Sequence, residues 1–567
     1  MRRTPPAVAV CFLFLTAVTP LTAATHCVRA DAAGAGTGAD WDNAYVRLPA
    51  VLVRGDIYYI AKGTYPAYVF DDPDAGVTPI EVRAATSTDH GSGTGWIAGC
   101  AGQAVFQAAT APANGAVLNF ITDYYVLNGQ VRSADWKSGY NIKVDNTNRL
   151  ACTADILMGN NNPKAVHDIL VEYVEISGSH PSGDGCNEEG VESPAGSYNL
   201  VFRGLYNHHP GNCNFLMRGG GGSGGKGNYI TVEYCYISDN YSSPAVHGEG
   251  FSCSEGMKYF TVRFNVIADM IGTAYIATPS GGGWQTTNVN NGPWYVYGNV
   301  FLGSNPAHCG TGDGALFFFD ANFTDDVFIY NNTFCSIGPK NCGSYAGGIQ
   351  IQAVQGSQKA DMKGVYVSNN LWVNSSSVDM GCTTCGAYAW DYNGYFQMAD
   401  NSAGRDADPS KQVGTQNPLK NWQAGDFRLV AATNPGKALS TPFNLDMLGT
   451  VRGADGAWDR GAMEYDSKIA GGTAAPGPAA GDNGGLTVFP NPFNPSTTVS
   501  YVLPVSSNVD LRVFDSAGKC VAGIVNGRQS AGQYSYPFAG KALQSGLYFC
   551  RWAAGDRVFT KRMALLK

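Results

Sequence analysis

The chain has 567 residues, of which 44% are hydrophobic and 14% are charged, and it contains 72 glycines. So little charge with so much glycine disfavours long helices, while the apolar and aromatic content suffices for a large core and excludes wholesale disorder. The formal net charge of -8 argues against nucleic acid as a partner, because nucleic-acid-binding proteins present a basic surface.

The first 24 residues are typical of a secretory signal peptide. Arg2 and Arg3 precede an apolar run over 8–18, and small residues before position 25 favour cleavage near Ala24. That run is too short to span a bilayer, and no other run approaches about 18 residues, so we expect no transmembrane segment. After cleavage, 14 of the 15 cysteines remain, and an even number in an exported protein favours disulfides.

Seven similar segments follow, each with the apolar alternation of a strand. Their central apolar residues lie 30, 31, 30, 34, 33 and 38 positions apart, which is the spacing of a repeat protein. These central residues are Val171, Val201, Val232, Val262, Val296, Ile329 and Val367. We expect them to form one interior column.

The last four segments share an asparagine three positions after the centre. Asparagine tolerates the left-handed backbone of a sharp bend, and its amide can bond the next asparagine in a stack. A strand, an asparagine corner and a second strand in every ~30 residues make one coil of a parallel β-helix. The four asparagines are Asn265, Asn299, Asn332 and Asn370.

The repeats resemble the right-handed parallel β-helix proteins of the pectin-lyase-like group. The opening ADWDNAYVRLPAVLVRGDIYYIAKGTYP, residues 39–66, resembles their N-terminal cap and first coil, and residues 426–465 are similar to their closing segment. The resemblance implies an all-β fold with a β-helix over residues 25–466. It fixes no activity, because this architecture hosts lyases, hydrolases, epimerases and non-catalytic surface proteins.

Residues 467–485 are rich in glycine, proline and alanine, which predicts a flexible linker. Beyond them, short strands with turns predict a small Ig-like β-sandwich over 486–567. The phrase PNPFNPSTTVSY at 490–501 resembles the opening of type A sorting domains of the bacterial type IX secretion system. This resemblance implies contact with the secretion machinery and a protein that is secreted or attached to the outer surface.

Cysteines suggest two local pairings. Cys520 and Cys550 fall within the C-terminal domain, and we expect them to form a disulfide there. Cys382 and Cys385 form a lone CxxC, for which a local disulfide is favoured over zinc because no second pair or nearby histidine completes a tetrahedral site.

Two repeat copies begin a strand with similar acidic phrases, EEGVE at 188–192 and HGEGF at 247–251. Their spacing predicts that Glu189 and Glu249 lie two coils apart on one face, separated by about 10 Å. Arg218 belongs to the coil between them, and His247 lies nearby. We therefore predict a groove near residues 184–255 whose exposed candidate catalytic residues are Glu189, Arg218, His247 and Glu249.

The residue types in this groove suit chemistry on a glycan. β-Elimination needs a cation or arginine to neutralise a sugar carboxylate and a base, and the lyases of the group that the repeats resemble use Ca²⁺, which is the one cofactor implied. Hydrolysis needs two acids instead. Neither motif is complete, so we predict a monomeric protein that binds or acts on extracellular polysaccharide, as a polysaccharide lyase or a glycoside hydrolase.

The alternative function is a non-catalytic adhesin or structural surface protein. In that interpretation Glu189, Arg218 and Glu249 form a surface ion-pair ladder between stacked strands. Outward aromatic residues also leave two interpretations open, since they suit either sugar stacking or packing beneath a covering segment. These aromatic residues are Tyr295, Tyr297, Phe328, Tyr330 and Tyr366.

Overall fold

The computed structural model describes residues 24–465 and 486–565, apart from a set of internal gaps. The gaps are 75, 77, 160–164, 180–187, 221–226, 241–247, 255, 271–273, 279–289, 304–313, 320–321, 338–348, 353–361, 376–384, 399–406, 441, 490, 492, 494, 504–506, 516–518, 530–531 and 555–556. Several predicted features therefore lie outside the described residues: residues 1–23 of the predicted signal peptide, the predicted linker at 467–485, and His247.

Three long parallel sheets, A, B and C, contain 14, 12 and 9 strands. The strands of sheet A are Thr25–Val28, Ile57–Ile60, Ile80–Ala84, Tyr125–Asn128, His167–Glu172, Tyr198–Arg203, Ile230–Glu233, Phe260–Arg263, Asn290–Asn291, Trp294–Tyr297, Asn322–Phe323, Val327–Tyr330, Met362–Ser368 and Cys385–Asp391. The strands of sheet B are Gly63–Pro66, Ala104–Gln107, Ile142–Asp145, Val174–Ser177, Tyr206–His208, Tyr236–Ser238, Val266–Ala268, Val300–Leu302, Thr333–Cys335, Leu371–Val373, Gly394–Phe396 and Gln412–Gly414. The strands of sheet C are Tyr68–Phe70, Ala116–Phe120, Ala154–Met158, Glu189–Ser193, Phe215–Arg218, Phe251–Ser254, Ala274–Thr278, Gly314–Phe319 and Ile349–Gln352.

The chain passes through sheets A, B and C in turn on each central coil, and each strand pairs in parallel with its counterpart on the next coil. In sheet A, for example, His167–Glu172 pairs with Tyr198–Arg203, and in sheet B Val174–Ser177 pairs with Tyr206–His208. Because each strand is completed by the next coil, no coil is stable alone and the stack folds together. The architecture is a right-handed parallel β-helix, as the repeats predict.

The interior of the coils is filled by columns of apolar side chains in register. Six of the seven predicted repeat centres lie on one such column: Val171, Val232, Val262, Val296, Ile329 and Val367. The seventh, Val201, was wrong by one residue, since Phe202 is the interior neighbour of Val171 and Val201 is only half-buried. The run Leu200-Val201-Phe202 is apolar on both faces, so alternation cannot fix its register.

A single residue in the left-handed conformation often turns the chain from sheet A to sheet B. Its φ is 57° at Phe264, 67° at Gly298 and 55° at Asn331. Glycine is needed at 298 because a Cβ there would lie 2.6 Å from the ring of Phe264 on the preceding coil. The corner thus combines a tight turn with a ring packed against the next backbone.

The residue after this corner carries the predicted asparagine ladder. The backbone N–H and the side-chain Nδ2 of Asn299 both donate to Asn332 Oδ1 at 3.0 Å, and Asn332 repeats the pattern with Asn370. The ladder extends to Asn393, whose Nδ2 donates to Asp408 Oδ2 at 3.0 Å. The stack and its amide bonds are confirmed, but the expected left-handed conformation of these asparagines was wrong, because the left-handed residue directly precedes each of them.

The outward aromatic residues of sheet A are covered by a later segment of the chain. The ring of Phe443 lies 5.0 Å from Tyr297 and 4.9 Å from Tyr330. The antiparallel pair Leu419–Asn421 and Asp426–Leu429, with a 3₁₀ turn at Trp422–Ala424 between, contributes to the same apolar cluster. Packing beneath a covering segment is therefore the correct interpretation of these side chains. A second 3₁₀ turn spans Ala98–Cys100.

The C-terminal residues form two antiparallel sheets around a separate apolar core, as expected of a small sandwich. One sheet contains Thr487–Phe489, Ser496–Leu503 and Gly532–Ala539, and the other contains Ser507–Asp515, Cys520–Gln529, Gly546–Ala554 and Arg557–Leu565. The expected disulfide between Cys520 and Cys550 is wrong, since both thiols are free. Cys550 faces the core and Cys520 is exposed, so the two side chains do not meet.

Cys152 and Cys385 are disulfide-bonded, with partners outside the described residues. Cys382, the other half of the CxxC, also lies outside them. Within the residues that the structure describes, no helix has the length and apolar character needed to cross a membrane.

The asparagine ladder yields a stability prediction. Asn332→Leu should lower the free energy of unfolding by about 2–3 kcal/mol, because it removes bonds to Asn299 and Asn370 and leaves buried donors unpaired. Cys235→Val, in the same column, should cost about 1 kcal/mol, since Asn265 bonds the backbone N–H of Cys235 and the thiol makes only weak hydrogen bonds, with the Leu205 N–H at 3.4 Å and the Glu233 carbonyl oxygen at 3.3 Å. Denaturant unfolding of both variants measures the difference, and equal losses would contradict a specific role for the amides.

Candidate functional site

The predicted acidic residues meet on the outward face of sheet C. Continuing the register of Val191 with Phe215 and of Phe215 with Phe251 places Glu189, Cys213 and Glu249 side by side on three successive coils. Outward positions on the flanking coils are small or apolar, and they form separate patches at Ala116, Ala154 and Leu157 and at Ala274 and Ala277. The two glutamates thus interrupt an apolar strip, on one face and two coils apart as predicted.

Each glutamate is followed by a glycine whose missing side chain makes room for the turn. A Cβ at Gly190 would lie 2.8 Å from the Asn214 carbonyl oxygen, and one at Gly250 would lie 2.6 Å from the Tyr275 carbonyl oxygen. Both contacts are closer than a real Cβ tolerates, so the Glu-Gly phrases reflect close packing of the strand entries against neighbouring backbone.

Both carboxylates contact the Cys213 residue. Glu189 Oε2 accepts from the Cys213 N–H at 2.8 Å, while the Cys213 thiol lies 3.1 Å from Glu249 Oε2. Asn212 joins the two sides, since its Nδ2 donates to Glu189 Oε1 at 2.8 Å and its Oδ1 accepts from the Gly248 N–H at 3.2 Å. The column is therefore a connected polar cluster.

The cluster is buried, contrary to the exposed placement expected from sequence. Glu189 is 5% exposed and Glu249 is 4% exposed. Burial, with the nearby charges of Glu192 and Glu249, raises the pKa of Glu189 well above its ordinary value. Burial and the two glutamates likewise raise the pKa of the Cys213 thiol. The thiol is therefore held neutral, and the protonated form of Glu189 is favoured.

Arg218 takes a different partner from the one expected. Its Nη2 lies 3.0 Å from Glu192 Oε1, at the opposite end of the strand from Glu189. Burial raises the pKa of Glu192, while Arg218 opposes that rise. A ladder running through Glu189, Arg218 and Glu249 is therefore wrong. The fourth predicted residue, His247, lies outside the described residues.

An ion-pair ladder does exist, but on the outward face of sheet A. Arg203 lies 3.1 Å from Glu172 and 2.7 Å from Glu233, and the Nε of Arg263 donates to Glu233 at 2.6 Å. Burial disfavours the charge on Glu233, yet Arg263 and Arg203 together hold its pKa below the ordinary value. In the sequence, this ladder corresponds to alternating charge directly after the interior residue in successive repeats.

A second feature absent from the sequence analysis is a row of aromatic side chains at the start of the sheet A strands. Tyr124, His167, Tyr198, Tyr229 and Tyr259 occupy five successive coils. His167 stacks on Tyr198 with centroids 4.4 Å apart, and Tyr229 stacks on Tyr259 at the same distance. Tyr259 is 38% exposed. The row therefore consists of two stacked pairs, with Tyr124 packed edge-on against His167.

His167 is the charged member of this row. Its Nε2 lies 3.0 Å from Asp123 Oδ2 and its Nδ1 lies 2.7 Å from Asp168 Oδ2. Burial disfavours the imidazolium, but hydrogen bonds to Asp123 and Asp168 outweigh it and raise the pKa of His167 to about 9. The imidazolium therefore joins two carboxylates from neighbouring coils near neutral pH.

Among the described residues, no group of three or more His, Cys, Asp or Glu side chains is arranged to hold a metal ion. The Ca²⁺ implied by resemblance therefore has no carboxylate cage of that kind in this part of the chain.

Comparison with known families identifies the C-terminal domain. Residues 487–565 match the family described as Secretion system C-terminal sorting domain, which confirms the prediction from the phrase at 490–501. The chain is accordingly a secreted or outer-surface-attached protein that engages the secretion machinery through this domain. No curated protein matches the chain.

The position of His167 predicts a pH-dependent contribution to stability. A raised histidine pKa stabilises the fold fully below the unfolded value of about 6.5, and that contribution is lost as pH rises towards 9. His167→Gln should therefore lower the free energy of unfolding by up to about 3 kcal/mol at pH 6, and by much less at pH 9.5.

Unfolding curves at the two pH values provide the measurement. Tyr198→Phe is the matched control, because it keeps the stack on His167 without touching Asp123 or Asp168. Its effect should be the same at both pH values. A loss for His167→Gln that does not change between pH 6 and 9.5 would contradict the charged bridge.

Proposed function

We propose that this secreted or surface-attached β-helix protein hydrolyses extracellular polysaccharide at the Glu189–Cys213–Glu249 column. The proposal rests on one observation, the pairing of two carboxylates across a single residue on the outward face of sheet C. Paired acids with room for a water between them are the requirement of an inverting glycosidase, whose carboxyl groups lie roughly 6.5–9.5 Å apart.

The environments of the two acids suggest their roles. Glu189, whose pKa burial raises, would donate a proton to the glycosidic oxygen as that bond breaks. Glu249 would take a proton from water while the water oxygen bonds to the anomeric carbon. One water is consumed and one reducing end is formed for each bond that is cleaved. Hydrolysis is favoured over elimination because Arg218, the expected partner of a uronate carboxylate, is paired with Glu192.

The size of the substrate is suggested by the aromatic row. Five successive coils at about 4.8 Å per coil extend over roughly 19 Å, which suits several sugar units better than a small ligand. Tyrosine hydroxyl groups and the neighbouring carboxylates of Asp123 and Asp168 offer hydrogen-bond partners along this length. The row thus supports a polymer as the partner.

The alternative, a non-catalytic surface adhesin, is favoured by a different observation. Glu189 and Glu249 are 5% and 4% exposed, and the carboxylate of Glu189 accepts two hydrogen bonds from the chain. Such residues can simply stabilise adjoining strand entries. The two functions differ in whether a bound glycan acquires new ends.

The enzyme hypothesis is tested by incubating the full exported chain with a panel of polysaccharides. We expect new reducing ends without unsaturated products, and a loss of turnover of about 100-fold or more in Glu189→Gln and in Glu249→Gln. Glu172→Gln is the matched control, because it alters a buried glutamate on sheet A, away from the column. Melting temperatures of all three variants separate lost chemistry from lost folding.

Full turnover in both column variants would overturn the assignment of the site. Unsaturated products would replace hydrolysis by elimination. Glycan binding with no new ends from any substrate would favour the adhesin instead.

Binding through the aromatic row gives a separate prediction. Tyr259→Ala should weaken retention on an insoluble glycan several-fold, because it removes an exposed ring together with its hydroxyl group. Tyr388→Ala is the control, since Tyr388 is similarly exposed on a distant coil of sheet A. Pull-down of both variants with the insoluble glycan measures the effect, and equal retention would exclude the row as the contact surface.

A further inference from the structure

Where sheet B turns towards sheet C, the interior of the helix is polar, as it is along the asparagine ladder at the corner between sheets A and B. Several side chains in this corner are fully buried and carry oxygen atoms: Asn146, Asp155, Glu188, Asn207 and Asn214. The neighbouring interior columns are filled instead by residues such as Ile156 and Val191. A polar pocket inside a solenoid needs a compensating interaction, since burying unpaired polar groups is costly.

Asp155 lies at the centre of this pocket. The register of Ala154 with Glu189 and of Ile156 with Val191 places it beside Gly190 on the next coil, where the Asn207 amide occupies the space over the glycine. Neither of its carboxyl oxygens accepts a well-aligned hydrogen bond within the described part of the chain, although the Asn146 amide lies close enough to oppose the rise of its pKa. The neighbouring Asn146 amide donates instead to the Ala151 carbonyl oxygen at 2.7 Å.

Glu188 and Ser179 supply further oxygen atoms. The Ser179 N–H donates to Glu188 Oε1 at 2.5 Å. The other carboxyl oxygen, Glu188 Oε2, and the hydroxyl oxygen of Ser179 are both buried without a well-aligned hydrogen bond among the described residues, although the Ser179 hydroxyl lies close enough to Glu188 to oppose the rise of its pKa. Four oxygen atoms without a well-aligned hydrogen bond thus come from Asp155, Glu188 and Ser179, on two successive coils.

The charges in the pocket are unbalanced. Burial and the neighbouring Glu188 carboxylate raise the pKa of Asp155 well above its ordinary value. The groups that chiefly perturb Asp155 and Glu188 include no cationic side chain among the described residues. The charge of Glu188 acts on Asp155, and two buried carboxylates without a cation repel one another, so ionisation of both needs a counter-charge of two.

We propose that Asp155, Glu188 and Ser179 bind a divalent cation of the calcium type inside the helix. All the available ligand atoms are oxygen, which hard cations prefer, and the two carboxylates match the charge of such an ion. Backbone carbonyl groups of the corner would complete the six to eight oxygen ligands that calcium takes. The site uses only two carboxylates, so it differs from a cage of three or more acidic side chains.

This cation would be structural, and its presence does not depend on the proposed glycan hydrolysis. Glu188 directly precedes the strand Glu189–Ser193, so an ion that joins Glu188 to Asp155 would fix where that strand begins. Calcium at extracellular concentration suffices for sites with dissociation constants of about 10⁻⁴–10⁻³ M, and the chain is exported. We therefore expect the ion to be gained outside the cell.

The test compares the full exported chain in EDTA and in about 10 mM (roughly 10–100 Kd) calcium chloride at neutral pH, by melting temperature and by equilibrium dialysis. Calcium should raise the melting temperature by about 1–3 °C and bind at about one ion per chain at saturation. Asp155→Asn should abolish both effects. In EDTA the variant should melt at or above the wild-type temperature, because it removes the repulsion between the carboxylates.

Asp446→Asn is the matched control. Asp446 is also fully buried, but its oxygens accept from the N–H groups of Leu448, Thr450 and Glu464 at 2.7–3.0 Å. This variant should lose stability yet keep its full response to calcium. A wild-type chain that binds no calcium, or a calcium response that survives Asp155→Asn, would overturn the proposal.

Discussion

In-register stacking of parallel coils is the constraint on which the rest of this structure depends. Each strand of sheets A, B and C makes its ladder bonds with the coils above and below it, so a side chain is always about 4.8 Å from its counterparts on the neighbouring coils. Apolar columns satisfy this geometry at no electrostatic cost. Asparagine does so through its amide, which donates to one neighbour and accepts from another, as Asn299 and Asn332 show.

Charged residues on neighbouring coils are also about 4.8 Å apart, so like charges would repel one another. Two arrangements in this chain avoid such a direct contact. In sheet A the signs alternate from Glu172 through Arg203 to Glu233, so each neighbour is an attraction. In sheet C the like charges Glu189 and Glu249 are separated by a neutral thiol. An alternating ladder lowers the energy of the charged state. In the sheet C column, by contrast, burial and the like charge of Glu249 raise the pKa of Glu189. That difference makes the sheet C column the better candidate for acid–base chemistry.

The sequence predicts the fold well because in-register stacking requires the same residue types at the same position of each coil, which produces a visible repeat. Six of the seven central residues and the asparagine ladder follow from spacing alone. The predicted register is wrong at Val201, because its two neighbours, Leu200 and Phe202, are also apolar and no alternation is visible. The partner of Arg218 and the burial of Glu249 could not be predicted, because they depend on where neighbouring segments lie over the strand. The lack of a well-aligned hydrogen bond at Asp155 is a property of the packed interior, and no pattern in the chain marks it.

The connections between sheets explain why the chemistry gathers at one corner. Between sheets A and B only residue 173 separates the strands of one central coil, and residues 204–205 separate those of the next. Turns of one or two residues fix the backbone conformation of the connection on these coils. From sheet B to sheet C the connections are residues 178–188, 209–214, 239–250 and 269–273, so long ones alternate with short ones. The long connections end at Glu188 and Gly250, and the short coil between them carries Cys213. On these coils the connections from sheet B to sheet C vary in length, as is usual where the stack does not dictate the backbone, and both the acid column and the buried carboxylates lie beside this corner.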